Sequence, residues 1–108
     1  MHTRVIIATA VALATVGVEV RAAGRTIDQM GLNFSEKLVA VNKGDAVVFA
    51  NRDDVTHNIT ILDDDDDGSN DLGLQKPGQD LAYKFDKSGR FRVRCTIHPS
   101  MKMTVNVK

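Results

Sequence analysis

Residues 81–97 read LAYKFDKSGRFRVRCTI, and their alternation sets the fold class. Tyr83 and Phe85 flank Lys84; after Ser88-Gly89, Phe91, Val93 and Cys95 alternate with Arg90, Arg92 and Arg94. A period of two places successive side chains on opposite faces of a strand, so Phe91, Val93 and Cys95 share one face and the three arginines the other. Ser88-Gly89 is a turn signal between two such strands.

The pattern continues on both sides. MKMTVNVK, residues 101–108, puts Met101, Met103, Val105 and Val107 on one face and Lys102, Thr104, Asn106 and Lys108 on the other. THNITIL, residues 56–62, sets His57, Ile59 and Ile61 against Asn58, Thr60 and Leu62. KLVAVNKGDAVVFANRDD, residues 37–54, gives two apolar runs joined by the turn composition Asn42-Lys43-Gly44-Asp45. Residues 63–80, DDDDDGSNDLGLQKPGQD, are polar and broken by glycine and proline, which predicts a long connection over the surface. Several short strands separated by turns predict an all-β fold, an antiparallel Greek-key β-sandwich.

A chain of 108 residues accommodates one modest domain. Its start has a charged tip at Arg4, an apolar run from Val5 to Val18, then a polar break and small residues. That layout predicts a secretory signal over residues 1–22, cleaved after Ala22 or Ala23, and an exported, periplasmic domain over 23–108. The apolar run is short for a bilayer core, which needs about 20 helical residues, so no stable membrane insertion is expected once the signal is removed. Without Arg4, Arg21 and Glu19 the chain keeps 12 basic and 13 acidic residues. That balance favours neither nucleic acid nor a membrane surface as partner. Its distribution is uneven: residues 51–71 hold eight aspartates against Arg52, and 84–102 hold six Lys/Arg against Asp86. If those segments lie apart, the protein is dipolar.

Cys95 is the single cysteine and cannot form an internal disulfide. Strand phase turns its thiol inward. CTIHPSMKM, residues 95–103, adds His98, Met101 and Met103 within nine positions, and Pro99 forces the chain to turn there. Thiolate, imidazole and thioether are soft ligands suited to copper, and two histidines, a cysteine and a weak axial methionine describe an electron-transfer copper centre. Apart from His2 in the signal, His57 is the one further histidine, so a copper ion held here is held by His57, Cys95 and His98.

KGDAVVFANRDDVTHNIT (43–60) and SGRFRVRCTIHPSM (88–101) resemble the two ligand segments of the small blue copper proteins, the cupredoxins of the plastocyanin, pseudoazurin and amicyanin type. The resemblance covers most of residues 34–108. It implies one type 1 copper ion, His57, Cys95 and His98 as equatorial ligands, and an Asn58 whose hydrogen bonds tie the two ligand loops together. Met101 gives the short His-x-x-Met spacing of amicyanin, and Met103 the longer spacing of plastocyanin and pseudoazurin. Counting back from the C-terminus favours Met101 as axial ligand and leaves Met103 to the core. Ile97 departs from the family, standing where proline is common.

The resemblance further implies a carrier of single electrons, not an enzyme, acting as a monomer between redox proteins such as a c-type cytochrome or a dehydrogenase. His98 would emerge through an apolar patch where the partner docks. The rival reading is a copper carrier that hands over the ion itself. Catalytic copper oxidases need further copper sites, for which no histidine is spare. Asp63, Asp65, Asp67, Gly68 and Asp71 fall on calcium-loop positions 1, 3, 5, 6 and 9, but Leu74 stands where a bidentate glutamate is required, which favours a solvated acidic loop. The row Arg90, Arg92 and Arg94 is open to docking an acidic partner or to pairing with the aspartate run.

Overall fold

A computed structural model describes residues 24–108, and the signal expected at 1–22 lies outside them. Nine strands form two sheets: β1 (Arg25–Met30), β2 (Asn33–Phe34), β3 (Leu38–Val41), β4 (Ala46–Asn51), β5 (His57–Asp63), β6 (Ser69–Gln75), β7 (Asp80–Lys84), β8 (Gly89–Arg94) and β9 (Lys102–Val107). One sheet runs β2-β1-β4-β7 and the other β3-β9-β8-β5-β6. The chain passes repeatedly between the two layers, and no helix occurs among the described residues.

The alternating stretches lie as their period demands. Phe91, Val93 and Cys95 are buried, while Arg90 and Arg92 are exposed on the opposite face. Met103, Val105 and Val107 of β9 face the same interior, which Ile27, Val47 and Phe49 close from the other sheet. Phe85 bridges the layers, with its ring 4.8 Å from Tyr83 and 5.3 Å from Phe91, centroid to centroid. Each such aliphatic or aromatic side chain contributes about 1.5–3 kcal/mol on burial. The turn at 42–45 closes with the Asp45 N–H donating to Asn42 O at 2.9 Å, and Gly44 takes the positive φ of 95° that glycine adopts without strain.

Two strand pairings are parallel, β1 with β4 and β3 with β9. Alternation reports which face a residue occupies and says nothing of strand direction. The larger departure is at 63–80, expected as one long connection. Only its two ends are turns, at 64–66 and at 77–78. Residues 69–75 pair antiparallel with β5 as an edge strand, across an irregularity between Asn58 and Thr60. β6 is exposed on both faces over most of its length, so burial imprints no alternation on its sequence. Backbone pairing carries most of it, with Leu72 packed against the core and Gln75 buried at its end.

Candidate metal centre

The first residue of β5 and the residue after β8 meet at one end of the second sheet. His57 opens β5, and Cys95 follows Arg94 with its thiol completely buried. The Cys95 N–H donates to Met101 O at 3.1 Å and the Met101 N–H to His98 O at 2.9 Å, folding 95–101 into a closed loop. That loop returns His98 over the thiol.

Three donor atoms converge there. Cys95 Sγ lies 3.8 Å from His57 Nδ1 and 3.7 Å from His98 Nδ1, and the two nitrogens are 3.1 Å apart. The point equidistant from all three corners of that triangle is about 2.1 Å from each, by its circumradius. Bonds from a first-row metal ion to imidazole and thiolate are about 2.0–2.3 Å long. The donor set therefore fits such an ion without rearrangement of the three side chains.

The surroundings fix each donor. Asn58 spans the two segments: its N–H points at Cys95 Sγ at 3.4 Å, and its Oδ1 accepts from the Thr96 N–H at 2.6 Å and Thr96 Oγ1 at 3.0 Å. Its Nδ2 donates to Thr60 Oγ1 at 3.2 Å and Asp71 Oδ1 at 3.3 Å. An N–H directed at the sulfur stabilises thiolate charge.

His57 is held from behind by Asp53, with Nε2 and Oδ2 2.7 Å apart. The Asp53 carboxylate also accepts from the N–H groups of Gly31 (2.6 Å) and Leu32 (3.1 Å). Burial pushes this carboxyl up, but the bonds from His57, Leu32 and Gly31 outweigh it and hold it below the usual aspartate value. Leu32 sits at φ 59°, a left-handed conformation costing a non-glycine residue about 1–2 kcal/mol. Consecutive N–H groups in this conformation form an anion-binding nest. A carboxylate behind a metal-binding histidine fixes its tautomer, leaving Nδ1 free to ligate.

Further support comes from buried amides. Gln75 stands opposite His57 in the β5/β6 ladder, and its Nε2 donates to Phe49 O at 2.6 Å and Gln79 O at 2.7 Å. Asn51 Nδ2 donates to Val55 O at 2.9 Å and Gln75 O at 3.0 Å, bracing the loop that leads into His57. Asp53, Gln75 and Asn51 went unread in the sequence. A carboxylate four residues before the histidine in DDVTH was the available signal for Asp53, but Asp54 beside it is equally placed in sequence.

Met101 is 1% exposed and lies in the loop before β9 begins. Met103 is also buried but stands opposite Val93 in the regular β8/β9 ladder. The aspartate run is engaged elsewhere. Lys87 Nζ sits between Asp63 (2.8 Å) and Asp66 (3.0 Å), Asp64 meets Arg90 and Arg92, and Asp71 turns to Asn58 and the Gly73 N–H. Those carboxylates do not converge as calcium ligands. The acidic and basic segments, dipolar if apart, face one another and cancel in part.

Among solved structures the fold is similar to amicyanin. The Cu(I) form of a methionine-to-alanine mutant of amicyanin superposes with TM-score 0.73 at 23% identity, covering 80% of this chain and 83% of that one. The oxidized state of a proline-to-alanine mutant of amicyanin gives 0.72, also at 23% identity with 80% and 83% coverage. The sequence matches no curated protein. Residues 21–108 match the profile of the copper binding proteins of the plastocyanin/azurin family. With donors that fit a type 1 copper ion set in a cupredoxin sandwich, the chain belongs to that family of small blue copper proteins.

Proposed function

We propose that this protein carries single electrons between larger redox proteins, with His57, Cys95 and His98 as equatorial copper ligands and Met101 as the axial one. The observation that carries this reading is the three-donor triangle, closed and hydrogen-bonded from behind. Bound copper supplies the Cu(II)/Cu(I) couple. The chain's own part is to hold one geometry suited to both oxidation states.

Each supporting residue has a share in that. Asp53 keeps the proton of His57 on Nε2 and its ring fixed; Asn58 joins β5 to the loop after Cys95, so the two ligand segments move together. Met101 offers its thioether from the loop, whereas Met103 packs against β8. The sandwich core keeps water from the thiol, which is completely buried. His98 is half-buried, and the exposed side chains of Leu32, Val55, Leu74 and Ile97 come from the loops and strand end around the site. They offer an apolar docking face suited to short-lived encounters with a c-type cytochrome or a dehydrogenase. The reading includes export by the signal at 1–22, action in the periplasm as a monomer, and no catalytic reaction of its own.

The test uses the mature domain with added Cu(II). Intense visible thiolate-to-copper charge transfer is expected, together with reversible one-electron voltammetry, and Cys95→Ser is expected to abolish the colour. A colourless complex, or one indifferent to Cys95→Ser, would sink the proposal. Colour without a reversible wave would favour a carrier of the ion over a carrier of electrons.

A further inference from the structure

The three arginines on the outer face of β8 do not share one fate. Arg92 Nε donates to Asp64 at 2.6 Å, and Arg90 Nε lies 3.3 Å from the second oxygen of the same carboxylate. Arg94 has no carboxylate within ion-pairing distance among the described residues. Neither has Lys102, its direct partner across the β8/β9 ladder, nor Lys37 at the entrance to β3. Like charges directly opposite in an antiparallel pair are destabilising, and among the described residues no carboxylate pairs with either of these.

Lys37, Arg92, Arg94, Lys102 and Thr104 line one shallow groove. Leu38 stands opposite Thr104 in the β3/β9 pairing and is 59% exposed, so an apolar side chain lies beside the cations. The groove also lies next to the metal centre. Arg94 immediately precedes Cys95, Lys102 immediately follows Met101, and the Cys95 N–H···O Met101 bond of 3.1 Å joins the two positions. The Asp63–Asp67 turn sits at the far end of β5 from His57, with much of its charge met by Lys87, Arg90 and Arg92. At the copper end of this face Lys37, Arg94 and Lys102 therefore have no ion-pair partner among the described residues, and the carboxylate on the row of Arg94, Asp71 across Thr60, is taken up by Asn58 and the Gly73 N–H.

We infer that this groove docks an acidic protein surface, with Leu38 as apolar anchor and Lys37, Arg94 and Lys102 as the charged rim. Complementary charge raises the encounter rate and selects the partner more than it adds affinity, which suits brief contact. That the acidic surface belongs to a redox partner rests on the electron-carrier reading; the binding itself does not.

The test is an amide NMR titration of the Cu(I)-loaded mature protein with octaglutamate peptide. The amides of Lys37, Leu38, Arg94, Lys102 and Thr104 are expected to shift together. The double variant Arg94→Glu, Lys102→Glu is expected to weaken binding about tenfold or more at low salt, the difference vanishing as salt screens it. Lys102→Gln, which only removes one charge, is expected to lose an intermediate amount and covers the case in which charge reversal disturbs the strands. Lys43→Glu, in the β3–β4 turn, is expected to leave affinity nearly unchanged. Shifts spread over other faces, or equal weakening by Lys43→Glu, would overturn the inference. So would binding of phosphatidylglycerol vesicles through these residues without binding of the peptide. Peptide binding here in a protein lacking a reversible copper wave would uphold the groove and remove the electron-carrier reading; a reversible wave without peptide binding would do the reverse.

Discussion

Aspartates at the two ends of β5 behave differently. Asp53, just before the strand, is enclosed by His57 and the N–H groups of Gly31 and Leu32. Asp63, Asp64 and Asp66, at the other end, pair directly with the half-exposed cations Lys87, Arg90 and Arg92. The two carboxylates Asp53 and Asp63 are equally exposed, but the His57 ring is completely buried whereas Lys87, Arg90 and Arg92 are more than half exposed. Water therefore competes weakly for the Asp53–His57 bond and strongly for the ion pairs. The copper end is held by a few desolvated hydrogen bonds, and the far end by ion pairs that salt can screen.

The largest expected effect comes from breaking the desolvated end. Asp53→Asn keeps the shape but removes the charge behind His57, and Asn58→Ala unties the loop after Cys95. Either is expected to lower Cu(II) affinity about 10–100-fold, measured by competition with a chelator. Asp53→Asn should also raise the reduction potential, because the lost charge favoured Cu(II). Unchanged affinity and potential would place Asp53 among merely structural contacts.

The methionines give a smaller and sharper contrast. Met101→Leu and Met103→Leu both conserve volume, and each is expected to cost less than about 1.5 kcal/mol in unfolding. Met101→Leu alone should move the reduction potential in voltammetry. A shift confined to Met103→Leu would reassign the axial ligand.

The smallest effect belongs to the far end. Lys87 raises its own affinity for a proton by holding Asp63 and Asp66, and its bond holds Asp63 below the usual carboxylate value. A depressed carboxyl contributes stability that is complete above its unfolded pKa, near 3.8, and lost as pH falls through the folded value below it. Lys87→Ala should therefore change the unfolding midpoint slightly at neutral pH and low salt, by progressively less as pH falls below about 3.8, and not at all in molar salt. A loss that persists in molar salt would mean the pair is shielded from solvent, and would erase the contrast between the two ends.

Alternation made β8 and β9 legible, and with them the burial of Cys95, because both strands have one face in the core and one in water. β6 was illegible because its faces are both largely exposed, and the parallel pairings because period carries no direction. The three donors could be read from residue type, order and phase. Asp53 could not, since choosing it over Asp54 depends on where the Gly31–Leu32 nest falls in space. Arg94 differs from Arg90 and Arg92 only by the reach of Asp64, which no strand pattern records.

The central claim is that His57, Cys95 and His98 hold one arrangement for both oxidation states. X-ray absorption at the copper edge, on the Cu(II) and Cu(I) forms of the mature protein at pH 8, tests it directly. Two nitrogen donors and one short sulfur are expected in both forms, with distances changing by less than about 0.2 Å. Loss of a nitrogen donor on reduction, or a sulfur shell that disappears, would contradict it.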